Sequence, residues 1–220
     1  MTAKRDFKKT DRAWYTAPRG RWDRLVLPPL NYLAIDGQGD PNGPDYGRAL
    51  AALYPMAYGV KALCKAAGRD FVVPPLQALW SAEDPTAFVA GDRAAWRWTA
   101  MIRMPEEVTA EMVETARQNV LPKLARKPEA ATDAPTVSRV RLITLDEGVC
   151  LQRLHIGPYT EEAPTLADLH DRVMPALGLT FNGPHHEIYL GDPRRAAPER
   201  LRTILRQPVR PMDHPGSTTG

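Results

Sequence analysis

Two cysteines in 220 residues, Cys64 and Cys150, leave this chain without a disulfide framework. Far apart in sequence, they fit reduced thiols and a cytoplasmic setting. No apolar run approaches the roughly 18 residues that span a bilayer, so a membrane-crossing helix is not expected. Met1 to Arg12 is polar and basic and lacks the apolar core of a secretory leader. HExxH and CxxC are absent, as is the GxSxG elbow, which removes the usual zinc and serine-hydrolase readings. Excess charge is small too. The 29 Lys and Arg stand against 26 Asp and Glu, and the resulting +3 is too dispersed for a nucleic-acid surface.

What the chain has is an ordinary globular composition, 43% hydrophobic and 25% charged, cut into short elements by 22 prolines. Lys4, Arg5, Lys8, Lys9 and Arg12 make a basic N-terminal arm, followed by Trp14, Tyr15 and Trp22. Basic residues interleaved with aromatics can bind single-stranded nucleic acid. Packing of the arm along the body is the plainer expectation. A strand over Asn31 to Gly37 leads into Gly37-Gln38-Gly39 and on to Gly43. The spacing is GxGxxxG, and Asp36, Asp40 and Pro41 suit a phosphate cradle poorly, so a simple turn is expected and no cofactor.

Apolar spacing predicts helices over Asp45–Ala67, Thr109–Arg126 and Thr165–Leu177. Pro55 lies inside the first, and Thr109 is placed to cap the second. Strands are expected at Leu76–Trp80, Asp92–Met104, His185–Leu190 and Arg202–Val209. A hairpin of Val137–Leu145 and Val149–Ile156 is expected around Asp146-Glu147-Gly148. Lys127–Pro135 reads as a linker, residues 1–20 as an arm and 211–220 as a flexible tail. Residues 21–210 then form one domain. Its order repeats: strand, helix, strand, strand at about 31–127 and again at about 137–209. Two such modules pair about a pseudo-twofold axis in an α+β fold, with helices on one side of an antiparallel sheet and a ligand groove on the other.

The stretch with the most chemistry is His185-His186-Glu187-Ile188-Tyr189-Leu190. Side chains alternate along a strand, so His185, Glu187 and Tyr189 share one face. His186, Ile188 and Leu190 share the other, which is expected to pack on helices. In a cavity, Glu187 is a carboxylate among rings, with its charged form disfavoured by desolvation. It then suits a cationic ligand or the removal of a proton from water. An exposed strand with a solvated Glu fits the alternation equally well. Trp96 and Trp98 lie on one strand face, as core or as the wall of a flat pocket. The adjacent His185 and His186 point to opposite faces and do not ligate one metal together.

The chain resembles the stand-alone GyrI-like small-molecule-binding domain proteins. The match is carried by Arg21-Trp22-Asp23-Arg24-Leu25 with Pro28 to Tyr32, Asp36 to Pro41, Leu53-Tyr54-Pro55, Val73 to Leu76, Leu154 to Tyr159, His185 to Leu190 and Leu205 to Val209. The resemblance implies the duplicated fold with an aromatic groove and Glu187 as its central acid. It implies binding of bulky aromatic, hydrophobic or cationic small molecules. It also implies hydrolysis of cyclopropane-bearing genotoxic compounds as a detoxifying activity, with non-catalytic multidrug binding as the alternative. On this basis Glu187 and Tyr159 are the catalytic candidates, and Trp80, Trp98, Tyr189, His155 and Tyr54 the ligand-binding ones. Similar proteins often carry a Glu at the position of Gln77, so a second acid is missing there. No membrane or nucleic-acid partner is implied, and the expected state is a monomer or a weak homodimer.

Overall fold

The computed structural model describes residues 4–84, 86–126 and 131–212. Nine strands are present among them: β1 (Asp23–Leu27), β2 (Leu30–Gln38), β3 (Leu76–Ala82), β4 (Trp96–Arg103), β5 (Arg141–Leu145), β6 (Gly148–Ile156), β7 (Leu179–Phe181), β8 (His185–Tyr189) and β9 (Arg202–Pro211). The helices are α1 (Phe7–Thr10), α2 (Pro44–Ala66), α3 (Thr86–Ala90), α4 (Ala110–Ala125), α5 (Ala134–Ser138), α6 (Ala163–Asp168) and α7 (Met174–Ala176). A π-helical stretch, Leu169–Val173, joins the last two.

Eight strands run in the order β1-β6-β9-β8-β3-β4-β2-β5, all neighbours antiparallel, and β7 adds to β9. The order is palindromic in structure. Each module contributes three strands, β3-β4-β2 or β8-β9-β6, and the modules join where β3 pairs with β8. Each outer edge is then covered by the strand that precedes the other module. The expected hairpin is therefore corrected: β5 pairs with β2, whereas β6 pairs with β1 and β9. The expected start at Val137 is also late in the structure, because Asp133 caps a short helix through its bond from the Thr136 N–H. Of the expected linker, residues 127–130 lie outside the described residues, as does most of the expected tail.

Local chemistry explains the long helices. Pro44 starts α2, where a missing N–H costs nothing. Ala49, Leu53, Met56, Val60 and Cys64 line its buried face and pack on Leu33, Ile35, Ala100 and Ile102 of the sheet. The Thr109 hydroxyl accepts from the Met112 N–H at 3.3 Å and caps α4. In the second module Leu169 and Met174 pack on Leu151 and Val209. No helix among the described residues is long and apolar enough to cross a membrane.

The opposite sheet face is covered by the N-terminal arm. Arg103 stacks on Phe7 and Trp14, at 4.4 and 4.8 Å, and bonds Asp11 at 2.7 Å. Arg206 donates to the Trp14 carbonyl, and Gln152 to those of Ala13 and Thr16. The arm is thus tied to the body, and its basic residues are partly spent there.

The α+β class and the paired modules agree with the sequence reading, but the side of the groove does not. Tyr46 of α2 stacks on Trp80 at 6.0 Å, and Ala78, two residues before Trp80, pairs with Glu187. Glu187 therefore faces the helix side, between α2 and the α6–α7 segment. The His186 face, expected to pack on helices, instead meets polar groups and the arm. The reason is placement: α2 sets Tyr46 over Trp80, and the turn before α6 brings Glu162 beside Glu187, so both helical segments border the β3–β8 junction.

Candidate functional site

The junction strands supply the acid and its first ring. Glu187 and Tyr189 come from β8, and Trp80 from β3. Trp80 Nε1 donates to the Tyr189 hydroxyl at 3.0 Å. Hydrogen bonding also links Tyr189 to Glu187 and to Tyr46. A phenol has one proton to give. It goes to Glu187, while Trp80 Nε1 donates to the phenol oxygen. The outer wall is Tyr159, which meets Tyr189 edge-on at 5.6 Å and is 39% exposed. On the inner side, Tyr46 meets Trp98 edge-on at 4.9 Å, and Trp80 meets Trp96 edge-on at 5.9 Å.

The electrostatics are unusual for a protein carboxylate. Among the described residues no lysine or arginine forms an ion pair with Glu187. His185 is its nearest basic neighbour, with Nε2 at 3.6 Å, but burial pushes that imidazole down to about 3, so it is neutral. Desolvation pushes Glu187 up to about 7, against the hydrogen bonding of Tyr189, Glu162 and Trp80. A second carboxyl, Glu162, stands beside it from the turn before α6. Glu162 is 4% exposed, and burial together with Glu187 pushes it up to about 10. Tyr159 rises to about 12, mainly through burial and then through Glu187, so its hydroxyl keeps its proton.

Glu187 is thus an acid set among aromatic rings, with no ion-paired lysine or arginine among the described residues. The sequence pattern of the GyrI-like small molecule binding domain matches residues 25–210. The chain belongs to the GyrI-like family. An uncharacterized conserved protein from Listeria innocua is 41% identical, with 94% of this chain and all of that one aligned and a TM-score of 0.83. A hydrolase from the same organism is 38% identical over the same shares, with a TM-score of 0.78. The C-terminal domain of EcmrR shares the fold alone, at 10% identity and a TM-score of 0.55, over 87% of this chain and 98% of that one. No curated protein matches the chain.

The candidates named from sequence fall into two groups in this GyrI-like chain. Glu187, Tyr189, Trp80 and Tyr159 come together. Trp98 stands behind them, 4% exposed, with its ring under Tyr46. His155 is turned to the backbone, with Nε2 3.2 Å from the Pro158 carbonyl oxygen, where it ties down the turn carrying Tyr159. Tyr54 lies two turns along α2 from Tyr46, near Asp192 and Arg194 at the rim. Sequence reasoning passed over Tyr46 and Glu162. Tyr46 continues the Leu50 and Leu53 face back by one turn, so the helical spacing contained it. Glu162 follows Glu161 ahead of a helix, where acids are common for their own reasons, and no pattern singled it out.

Gly37 fixes the back of the site. A Cβ there would lie 2.1 Å from Cη2 of Trp98, against a rigid ring. Gly37→Ala is expected to push Trp98 off Tyr46 and to cost about 1–3 kcal/mol through overpacking. Tryptophan fluorescence and thermal denaturation would show this. An unchanged spectrum and midpoint would mean that the ring does not depend on that approach.

Proposed function

We propose that this protein binds flat, hydrophobic aromatic molecules in the groove and hydrolyses those carrying an activated cyclopropane, as a cytoplasmic detoxifying enzyme. The observation that carries the proposal is Glu187, a carboxyl only 13% exposed and set among Trp80, Tyr159 and Tyr189, with no ion-paired lysine or arginine among the described residues. Its titration near neutrality suits a general base. The hydrolase from Listeria innocua, similar along its whole length, supports the same reading.

The chemistry balances on this chain's groups. Water, held by Glu187, attacks the strained ring carbon as the carboxylate takes its proton. The ring C–C bond breaks, and its electron pair moves into the conjugated carbonyl. The oxygen formed there is stabilised by the hydroxyl of Tyr159 and ends as a phenol after protonation. Ring strain belongs to the substrate, so positioning plus one base suffices.

A second reading rests on the same missing cation. Aromatic cations stacked on Trp80 supply the charge that Glu187 lacks, without reaction. The test is incubation with a duocarmycin-type cyclopropane alkylator, followed by mass spectrometry for the hydrated, ring-opened product. Product above the solvent background supports the hydrolase. Binding of that compound and of a rhodamine, with no product, supports sequestration.

A further inference from the structure

The working acid has a partner that the sequence does not advertise. β6 ends at Ile156, and Gly157 turns the chain at φ +140, a conformation that favours glycine. A single 3-10 turn, Tyr159–Glu161, then delivers Glu162 to the groove. Its carboxyl lies beside Glu187 and near Thr203, and neither its Oε1 nor the Thr203 hydroxyl has a hydrogen-bond partner. Among the described residues it has no ion pair.

The groups facing the two carboxyls come from every packed element. They are Tyr189 and His185 from β8, Thr203 from β9, Trp80 from β3, Tyr46 from α2, and Tyr159 from the turn itself. None is a lysine or an arginine. Two carboxylates in contact within such walls do not both ionise, and a single proton between them removes the repulsion. Position decides which keeps it. Glu187 keeps 13% of its side chain exposed and already accepts from Tyr189. Glu162 is the deeper of the two, and it has a donor to offer only when protonated.

We propose that Glu162 stays protonated through the neutral range and donates its proton to Glu187, as a positioning residue that holds the site at one negative charge and aims the base. This rests on Glu187 being the working acid. The ligand class follows from the charge: a neutral electrophile with one water, or a molecule with a single delocalised positive charge. Burial raises both carboxyls, Glu162 further than Glu187, in keeping with this geometry.

The test needs no ligand. Protein labelled with carbon-13 at the glutamate carboxyls is titrated by NMR, with Glu187→Gln and Glu162→Gln used for assignment. One carboxyl titrating near neutrality and one still protonated above pH ~9, where free glutamate is long ionised, is the expected result. Glu162→Leu, which removes the donor, raises the Glu187 midpoint by about one unit or more, while Glu162→Gln, which still donates an N–H, stays well below the leucine variant. Ionisation of Glu162 in the ordinary carboxylate range overturns the proposal, as do equal midpoints in the two variants. Should the leucine variant not fold, the wild-type titration decides alone. Absence of any hydrolysis leaves this result untouched, so the two readings fail separately.

Discussion

Glu187→Gln is expected to lower ring-opening turnover by about 10²–10⁴-fold, the range for loss of a general base, while neutral aromatic ligands still bind. The amide has nearly the volume of the carboxyl and still accepts from Tyr189 and from a protonated Glu162. It cannot take a proton from water. Affinity for a monocationic dye falls as well, because its counter-charge is gone. Single-turnover mass spectrometry beside equilibrium dye titration separates the two effects. Unchanged turnover would remove Glu187 from the chemistry. The same variant also reports on stability, with a definite sign. A carboxyl raised in the folded state favours folding below its unfolded value and loses that contribution as pH rises through about 7. Glu187→Gln should therefore melt higher than wild type at pH ~8, by about 1–3 kcal/mol, and lose that advantage near pH ~5. Better stability with lost activity marks an acid kept in a costly place for its function.

Periodicity made most of the frame legible, and residues that meet only through topology stayed hidden. The strand face of Glu187 and Tyr189 follows from alternation, and α2 from its apolar stripe. Trp80 beside them follows from the module repeat. The side of the sheet did not follow, because His186 and Ile188 look as buried as any helix-packing face. What covers them is the arm and a polar network, brought in from residues 13–16, 147 and 206. The exchange of β1 and β5 between modules was hidden for a similar reason. A tight turn at Asp146-Glu147 reads as a hairpin, whereas pairing depends on which open edge each strand can reach. Cys150 shows the same limit from another direction. It lies on the network side, and burial beside Glu147 pushes its thiol to about 12, which makes it a core residue.

That hidden network gives the second large effect. Glu147, in the β5–β6 turn, accepts from His186 Nδ1 at 2.8 Å and lies 3.5 Å from Arg206 Nη1. His186 Nε2 lies 2.9 Å from the Gln77 side-chain amide, which joins β8 to β3 behind the groove. All four side chains are buried. Glu147→Ala strands a guanidinium and an imidazole there, and breaking a buried pair this way costs about 3–5 kcal/mol. For a domain of this size that is a fall of roughly 10 °C in the melting midpoint. Glu147→Gln, which keeps an acceptor, should lose less. The acid side separates these variants further. Burial raises Glu147, but its contacts with His186 and Arg206 outweigh this and hold the carboxyl below its usual range. Its stabilisation is therefore present above pH ~4.3 and disappears as pH falls through the depressed value. Burial also lowers His186, so its contribution weakens as pH drops below ~6.5. Wild type should lose stability steeply on acidification, and Glu147→Ala should show a flatter dependence below pH ~5. Denaturation across that range checks both. Parallel curves would mean that Arg206 finds other partners and that the network does not brace the strand carrying Glu187.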